Sequence, residues 1–221
     1  MFNFSATKIT FDESRRVLSW LLETVHDRWA EEIARTSGQG FRAMCGGMGS
    51  FSDVIICRQN GHQIAAEKEG LANEILNCFS AICFVSAKSS LTADEAVSAC
   101  GTLSMVLQGV RCLNCGYAGV NLDNLACFHA AITVRKLLRE GIECGDLFQR
   151  VTAYWTSYSP QRETQPLKAW LGPSQIEFRD TQGMMRPCPS CGSQDTAIYR
   201  WNLKGQRFES SADNLSLRPK T

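Results

Sequence analysis

The sequence predicts an α+β protein with an N-terminal helix–hairpin–helix unit followed by a unit built on four cysteines. Three observations predict this architecture. Apolar residues recur every three or four positions between residues 11 and 35, which is the period of an amphipathic helix. A β-branched run at residues 53–57 precedes an Asn-Gly pair, a strong hairpin signal. Two Cys-x-x-C motifs then flank a stretch with helical periodicity, so we expect a helical insertion between them.

The N-terminal elements follow from these patterns in chain order. One face of the first helix holds six apolar residues: Leu18, Leu21, Leu22, Val25, Trp29 and Ile33. The strand at 53–57 and a return strand from His62 form the hairpin, because Asn60 and Gly61 tolerate positive φ. A second apolar stripe predicts a helix over residues 65–87. We therefore predict an α+β domain at residues 1–88.

The second half of the chain is predicted to be one further domain, residues 89–221. Helices are predicted over residues 92–107, 124–139 and 146–158. Thr92 and Glu95 have the spacing of a capping box at the start of the first of these, and Gly141 is the expected C-cap of the second. Residues 121–158 then form a helical insertion between the two cysteine motifs.

Composition and charge narrow the classes of function. Hydrophobic residues make up 44% of the 221-residue chain and charged residues 20%, as in a globular protein with a substantial core. No apolar run reaches the roughly 18 to 20 residues that cross a bilayer. The start of the chain lacks the pattern of a secretory signal, which favours a cytoplasmic location. The net charge of +1 excludes a strongly cationic nucleic-acid binder. No motif for a small-molecule cofactor is evident.

Cysteine usage points to metal or redox chemistry. The chain has 11 cysteines, an odd number, and no export signal accompanies them, so a disulfide framework is disfavoured. Four of them lie in two motifs of the same form, RCLNCGYAG at residues 111–119 and RPCPSCGSQ at 186–194. The four are Cys112, Cys115, Cys188 and Cys191. Thiolates bind Zn²⁺ tetrahedrally, and a Cys-x-x-C turn brings two sulfurs to one ion. We predict a structural zinc site.

The two motifs and the residues after them resemble a zinc ribbon. In each motif the residue after the second cysteine is glycine, Gly116 or Gly192, which supplies the positive φ of a tight knuckle. Residues 196–208 alternate like a hairpin, so the resemblance covers 110–120 and 186–209. Ordinary ribbons separate their knuckles by roughly 15 to 20 residues, whereas here residues 116–187 intervene. A helical insertion accounts for this.

Alternatives to one shared structural ion remain open at the level of sequence. Each motif could hold its own ion, or the two could meet across a dimer interface. A redox Cys-x-x-C is disfavoured because such motifs start a helix, and the glycines after both motifs do not resemble helix interiors. A catalytic zinc ion is disfavoured because it takes three protein ligands and keeps an open position.

A second resemblance lies in the N-terminal part. Residues 46–53, GGMGSFSD, follow a predicted helix and precede an apolar strand. This signature resembles a small bacterial domain family of unknown function, over about the first 85 residues. The resemblance implies a bacterial or phage-like origin and a compact α+β unit, and it implies no catalytic role.

Two further sites can be read from the N-terminal part. Cys45 could act as a nucleophile with His62 as base and Asp53 as the orienting carboxylate. The glycine-rich stretch 46–50 could bind phosphate, but such loops follow a strand and open a helix, and this one does the reverse. A tight turn is the favoured interpretation of those glycines.

Three classes of function follow. The favoured one is a non-catalytic, zinc-stabilised adaptor that engages a protein partner or a second copy of itself, with no membrane contact. The second is nucleic-acid binding through the ribbon and the basic C-terminal segment, and the third is an enzyme centred on Cys45. The candidate partner surface consists of aromatic and basic residues after the second knuckle: Tyr199, Arg200, Trp201, Lys204 and Arg207.

Overall fold

The computed structural model describes residues 7–101, 107–164, 175–178, 187–188, 190–204 and 207–210. Their contacts group the chain into two compact units. Unit 1 is Met1–Thr102 with Ala130–Tyr158, and unit 2 is Leu103–His129 with Ser159–Thr221. Helices account for most of the regular structure. The prediction of separately folding domains at 1–88 and 89–221 stays a prediction, although residues 130–158 group with the N-terminal helices.

Unit 1 is helical in its described residues. Its helices are α1 (Phe11–Thr24), α2 (Ala30–Arg35), α3 (Gly38–Met44), α4 (Glu69–Ser86), α5 (Ala93–Ala99), the later part of α6 (Leu122–Cys144) and α7 (Leu147–Ser157). Both the α1 and α5 starts are capping boxes, from Thr10 with Glu13 and from Thr92 with Glu95. The box at Thr92 is as predicted.

The predicted first helix is broken in two. α1 ends at Thr24, and His26 has φ 56°, a left-handed conformation that no helix continues. The Asp27 carboxylate then accepts a hydrogen bond from the backbone N–H of Trp29 at 2.7 Å, just before α2 begins. The short side chain of Asp27 caps the next turn, so the helix ends before the apolar stripe does.

The hairpin predicted in residues 53–64 is wrong. Residues Phe51–Asp53 and Arg58–Asn60 form 3₁₀ turns, and the segment between them is extended without a strand partner. Its backbone groups bond instead to a side chain on α4. The N–H of Ile56 donates to Asn73 Oδ1 at 2.9 Å, and Asn73 Nδ2 donates to the Ile56 carbonyl at 2.7 Å. The amide side chain of Asn73 thus satisfies the backbone hydrogen-bonding groups of Ile56, which in a hairpin would pair with a return strand.

Two other predicted helix ends are also corrected. The helix that starts at Ala93 stops at Ala99 rather than near residue 107, because Gly101 adopts φ 75°. α6 does not stop at Gly141. It runs to Cys144, and the residue with the left-handed φ of 73° is Gly145. Gly141 has another role, since a Cβ there would lie 2.6 Å from the Cα of Leu147.

Apolar packing between helices forms the core of unit 1. α1 packs against α4, and the largest fully buried side chains include Phe41, Phe79, Leu21 and Ile75. Edge-to-face aromatic contacts extend the core, with the Phe41 and Phe51 rings 5.6 Å apart. The four-residue apolar spacing read from the sequence therefore marks the true inner faces of α1 and α4.

Unit 2 contains a five-stranded sheet in the order β3-β2-β1-β4-β5. The strands are β1 (Leu107–Cys112), β2 (Ala118–Asn121), β3 (Gln175–Phe178), β4 (Thr196–Lys204) and β5 (Arg207–Ser210). β2 and β3 are parallel and the other neighbours are antiparallel. β4 and β5 pair from Lys204 opposite Arg207, in the stretch where the alternation predicted a hairpin. The helices α6 and α7 lie between β2 and β3 in the chain.

Candidate metal centre

The sheet brings the two Cys-x-x-C motifs together. The first motif occupies the turn between β1 and β2, and the second lies directly before β4. β1 and β4 are neighbours, with Cys112 opposite Thr196. The Leu113 N–H also donates to the Asp195 carbonyl at 2.9 Å, which ties the first turn to the end of the second. Strand pairing thus closes the long sequence gap between the motifs.

Both motifs fold into the same knuckle. In each, the N–H of the first cysteine bonds to the carbonyl five residues later, Tyr117 or Ser193, at 2.8 Å. The glycine N–H returns to the carbonyl of that first cysteine, at 3.1 Å for Gly116 and 2.8 Å for Gly192. The two glycines have φ 74° and 71°, which an L side chain rarely adopts. The predicted glycine role is confirmed in both knuckles.

The four sulfurs form one cluster. Cys112 Sγ lies 3.6 Å from Cys191 Sγ, and Cys115 Sγ lies 3.6 Å from Cys188 Sγ. All four atoms lie within 4.8 Å of one another. A tetrahedral zinc ion with Zn–S bonds of about 2.3 Å holds its sulfurs about 3.8 Å apart. The spacing is therefore compatible with four thiolates around one ion, and all four come from the same chain.

The cluster has a buried side and an exposed side. Cys112 and Cys188 are 1% and 3% exposed and pack with Tyr117, whereas Cys115 and Cys191 are exposed. Backbone and side-chain donors reach the sulfurs: the Cys115 N–H lies 3.5 Å from Cys112 Sγ, and Asn114 Nδ2 lies 3.7 Å from Cys191 Sγ. Such donors stabilise thiolate charge and orient metal ligands.

The thiols differ in acidity. Hydrogen bonds from the Ser193 backbone and the Asn114 amide lower the pKa of Cys191 to about 6, against the opposing effect of burial. Burial raises the pKa of Cys188 to about 11 despite hydrogen bonds from the backbone of Cys191 and Ser190. The thiols contact one another, so one thiolate is favoured while its neighbour keeps the proton. A bound cation would compensate several thiolates together.

The donor set defines the chemistry that the cluster can support. Thiolate sulfur is a soft ligand, so the cluster suits zinc or iron and disfavours magnesium and calcium. Four protein donors complete a tetrahedral coordination sphere and leave no position for a substrate. The arrangement can hold an ion and thereby hold the two knuckles together.

The candidate partner surface is only partly described. The backbone of Tyr199, Arg200, Trp201 and Lys204 lies on β4, and that of Arg207 lies on β5, but their side chains lie outside what the structure describes. The basic segment after residue 210 also lies outside the described residues. Their role in partner binding stays a prediction.

The structure does not assemble the proposed Cys45 site. His62 Nε2 lies 2.7 Å from Asp27 Oδ2, and both side chains are 7% exposed. Cys45 lines a different cavity with Ser52 and Phe84, and burial raises the pKa of its thiol. A buried thiol with a raised pKa is a poor nucleophile. The predicted partnership between Cys45 and His62 is therefore wrong.

The glycine-rich stretch forms a tight turn, as favoured from the sequence. The Asp53 carboxylate accepts hydrogen bonds from the N–H groups of Gly49 and Ser50, at 2.7 and 3.2 Å. These amides are the donors that a phosphate would require, and a side chain of the same chain already occupies them. Asp53 thus stabilises a turn and does not orient a catalytic base.

The buried pair of His62 and Asp27 is a feature that the sequence does not predict. The ring of His62 also contacts the backbone of Cys57, with Nδ1 lying 3.0 Å from its carbonyl oxygen. The pair joins the residues after α1 to the segment before α4, and both residues line one cavity with Trp29 and Gly61. The only sequence signal was an Asp next to a helix break, and it did not point to a histidine 35 residues away.

Comparison with known proteins gives one match. Residues 16–65 match the model of a family described as a domain of unknown function (DUF6966). The matched segment includes the glycine-rich turn and the pair of His62 and Asp27, and excludes all four clustered cysteines. No curated protein and no solved structure matches the chain significantly. Among the described residues, none of the helices is both long and apolar enough to cross a membrane.

Proposed function

We propose that Cys112, Cys115, Cys188 and Cys191 bind one Zn²⁺ ion in a closed structural site, in a unit of zinc-ribbon type. The observation that carries the proposal is the meeting of four sulfurs within 4.8 Å of one another, at the ends of two knuckles with identical backbone hydrogen bonds. The molecule is then an α+β protein with helices inserted between its knuckles. A reducing compartment such as the cytoplasm keeps these thiols available to metal.

The proposed ion acts on the folding of unit 2. Cys115 and Cys191 are exposed, so the knuckle tips gain little from apolar burial and need another source of order. The ion would cross-link the turn after β1 to the turn before β4. Structural zinc of this kind contributes on the order of 10 kcal/mol to folding in small zinc peptides.

Elemental analysis of the purified protein tests the metal proposal. We expect about one zinc ion per chain, as a single four-thiolate site requires. The Cys188→Ser variant should lose it. Cys144→Ser is the matched control, since Cys144 is an exposed cysteine at the end of α6 and outside the cluster. Equal metal content in wild type and Cys188→Ser would reject the site.

We further propose that the protein is a non-catalytic adaptor and that its partner is a protein or a second copy of the chain. A closed sulfur site supports this, because it leaves no coordination position for a reaction. The β4–β5 hairpin follows directly from the second knuckle and carries Tyr199, Trp201 and Arg207, residue types that dominate protein interfaces.

Nucleic acid is the second candidate partner. The observation that favours it is the pairing of Lys204 with Arg207 across the β4–β5 turn, with Arg200 further along β4. Cationic and aromatic residues on one hairpin suit single-stranded nucleic acid.

A pull-down with zinc-loaded protein separates the two candidates. A protein partner retained after nuclease treatment, and lost in a Tyr199→Ala/Trp201→Ala variant, supports the adaptor. Binding of labelled single-stranded DNA or RNA that falls steeply with salt, and is lost in Lys204→Ala/Arg207→Ala, supports the nucleic-acid role, because counterion release demands that slope. If the hairpin variants bind like wild type, the hairpin is not the interface.

A further inference from the structure

A second pair of cysteines, outside the metal cluster, lies in unit 1. Cys78 is on α4 and is 1% exposed, and Cys100 is the C-cap residue of α5 and is partly exposed. α4 and α5 pack together, and Cys100 Sγ lies 3.9 Å from the Cys78 carbonyl oxygen. This contact brings the side chain of Cys100 against the turn of α4 that carries Cys78.

Charged groups surround this pair. Arg135 on α6 forms an ion pair with Glu74, and its Nη2 donates to the Cys100 carbonyl at 3.1 Å. Cys78 Sγ lies 3.5 Å from Glu74 Oε1. The Nε–H of Arg135 is buried and has no hydrogen-bond partner among the described residues. A buried cationic donor without an acceptor favours negative charge beside it.

The two thiols are therefore unequal. The neighbouring Cys78 thiol lowers the pKa of Cys100, and Arg135 lowers it further against the effect of burial. The neighbouring Cys100 is the largest cause that raises the pKa of Cys78, followed by burial. Carbonyl oxygens of Cys78 and Ala96 accept the Cys100 S–H in the thiol form. The accessible cysteine is thus the better thiolate, and its buried neighbour holds the proton.

We propose that Cys78 and Cys100 form a redox-active dithiol that low-molecular-weight disulfides oxidise to an intramolecular disulfide. The Cys100 thiolate attacks one sulfur of the small disulfide, whose other half leaves as a thiolate and takes up a proton. Cys78 then gives up its proton and attacks Cys100 Sγ, which expels the second half as a thiol. Two protein thiols are oxidised and one small disulfide is reduced.

The fold allows the bond to close at a helix end. Cys100 is the C-cap residue of α5, and Gly101 follows with φ 75°. A change in position at such an end disturbs fewer helical hydrogen bonds than one inside α4. We expect α4 to stay in place while Cys100 approaches it. This proposal is independent of the metal site, since neither residue belongs to the four-sulfur cluster.

The first test is peptide mapping of the full-length, metal-loaded protein after incubation with oxidised glutathione. We expect a peptide pair joined through Cys78 and Cys100, lighter by two hydrogen atoms and restored by dithiothreitol. A stable glutathione adduct on Cys100 with Cys78 still reduced would overturn the proposal. So would both thiols remaining reduced under conditions that oxidise the exposed Cys144.

Alkylation rates supply a readout that does not depend on a variant. With iodoacetamide at neutral pH, Cys100 should react at least roughly tenfold faster than Cys83, since one pKa unit changes the thiolate fraction tenfold. Cys83 is the matched control because it lies on α4, is buried, and has a pKa raised by that burial to about 12. Equal rates at Cys100 and Cys83 would contradict the assigned order of acidity.

Two variants test the roles assigned to Cys78 and Arg135. Cys78→Ala should convert the product into a stable mixed disulfide on Cys100, because the second thiol is gone. Arg135→Lys keeps the positive charge but not the planar guanidinium, and should slow Cys100 alkylation several-fold while circular dichroism stays unchanged. Unchanged alkylation rates in Arg135→Lys would contradict the effect assigned to Arg135 on the pKa of Cys100. Cys83→Ala is the control variant, in which Cys78 and Cys100 should still form the disulfide.

Discussion

We propose that units 1 and 2 are ordered by different physical means. In unit 1, helices bury large apolar side chains such as Phe41 and Phe79 completely. In unit 2, two short turns place four sulfurs side by side, and two of those four cysteines are exposed. Apolar burial is spread over many contacts, whereas a metal cross-link concentrates its free energy on four atoms. Metal removal should therefore affect unit 2 far more than unit 1, and truncation of a buried side chain in unit 1 should do the reverse.

The largest expected effect is metal removal. A strong chelator should remove the ion and thereby unfold the knuckles. In small zinc peptides the bound ion contributes on the order of 10 kcal/mol to folding. Hydrogen exchange followed by mass spectrometry should show loss of protection at the N–H groups of Cys112 and Cys188, and retained protection in α4. Addition of zinc should restore the original pattern. Uniform loss of protection in α4 and both knuckles would show that the two units do not differ in this way.

Truncation of a core side chain in unit 1 should destabilise unit 1 and leave the metal centre of unit 2 unaffected. Phe79→Ala removes a fully buried ring from α4 and should lower the free energy of unfolding by about 3 to 5 kcal/mol. Thermal melting measures this change, and zinc content should stay at the wild-type value. Phe84→Ala is the matched control on the same helix, because its ring is 39% exposed. A similar loss in both variants would argue against the assigned inner face of α4.

The buried pair of Asp27 and His62 gives a smaller effect. Asp27→Asn keeps the shape of the side chain but removes the charged acceptor, and should cost about 2 kcal/mol, as for hydrogen bonds to charged groups. Chemical denaturation measures it. Asp12→Asn serves as control, since its side chain is 78% exposed and its ion pair with Arg15 is on the surface. An unaltered midpoint for Asp27→Asn would mean that the pair does not stabilise unit 1.

The smallest effect concerns the start of α5. Thr92→Ala should cost about 1 kcal/mol, the usual value for a lost N-cap, while Thr92→Ser should be nearly neutral. The backbone N–H and hydroxyl of Thr92 lower the pKa of Glu95, so this contribution is present above the ordinary glutamate pKa of about 4.3 and fades as pH falls through the lowered value. Urea denaturation over that pH range should show the dependence in wild type and its absence in Glu95→Gln.

The sequence predicted those features that depend on local rules. The apolar stripes of α1 and α4, the box of Thr92 and Glu95, and the glycines after both Cys-x-x-C motifs each need only a few neighbouring residues. The four-cysteine cluster was also predictable, because a repeated motif implies a shared partner even across a long separation.

The failures arose where distant residues decide the structure. The apolar run at residues 53–57 has strand propensity, but Asn73 on α4 satisfies the backbone of Ile56, so no second strand is needed. The predicted turn and hairpin make Cys45 a possible partner of His62, whereas Asp27 is its partner in the fold. Neither long-range contact leaves a periodic signal in the chain.

X-ray absorption spectroscopy at the zinc edge, on protein purified without added metal, tests the central claim most directly. The account predicts four sulfur ligands at about 2.3 Å and no nitrogen or oxygen ligand. It also predicts loss of this signal in Cys188→Ser and its retention in Cys144→Ser. A metal shell with fewer sulfurs and a light-atom ligand, or folded protein without metal, would contradict a closed site formed by the two knuckles.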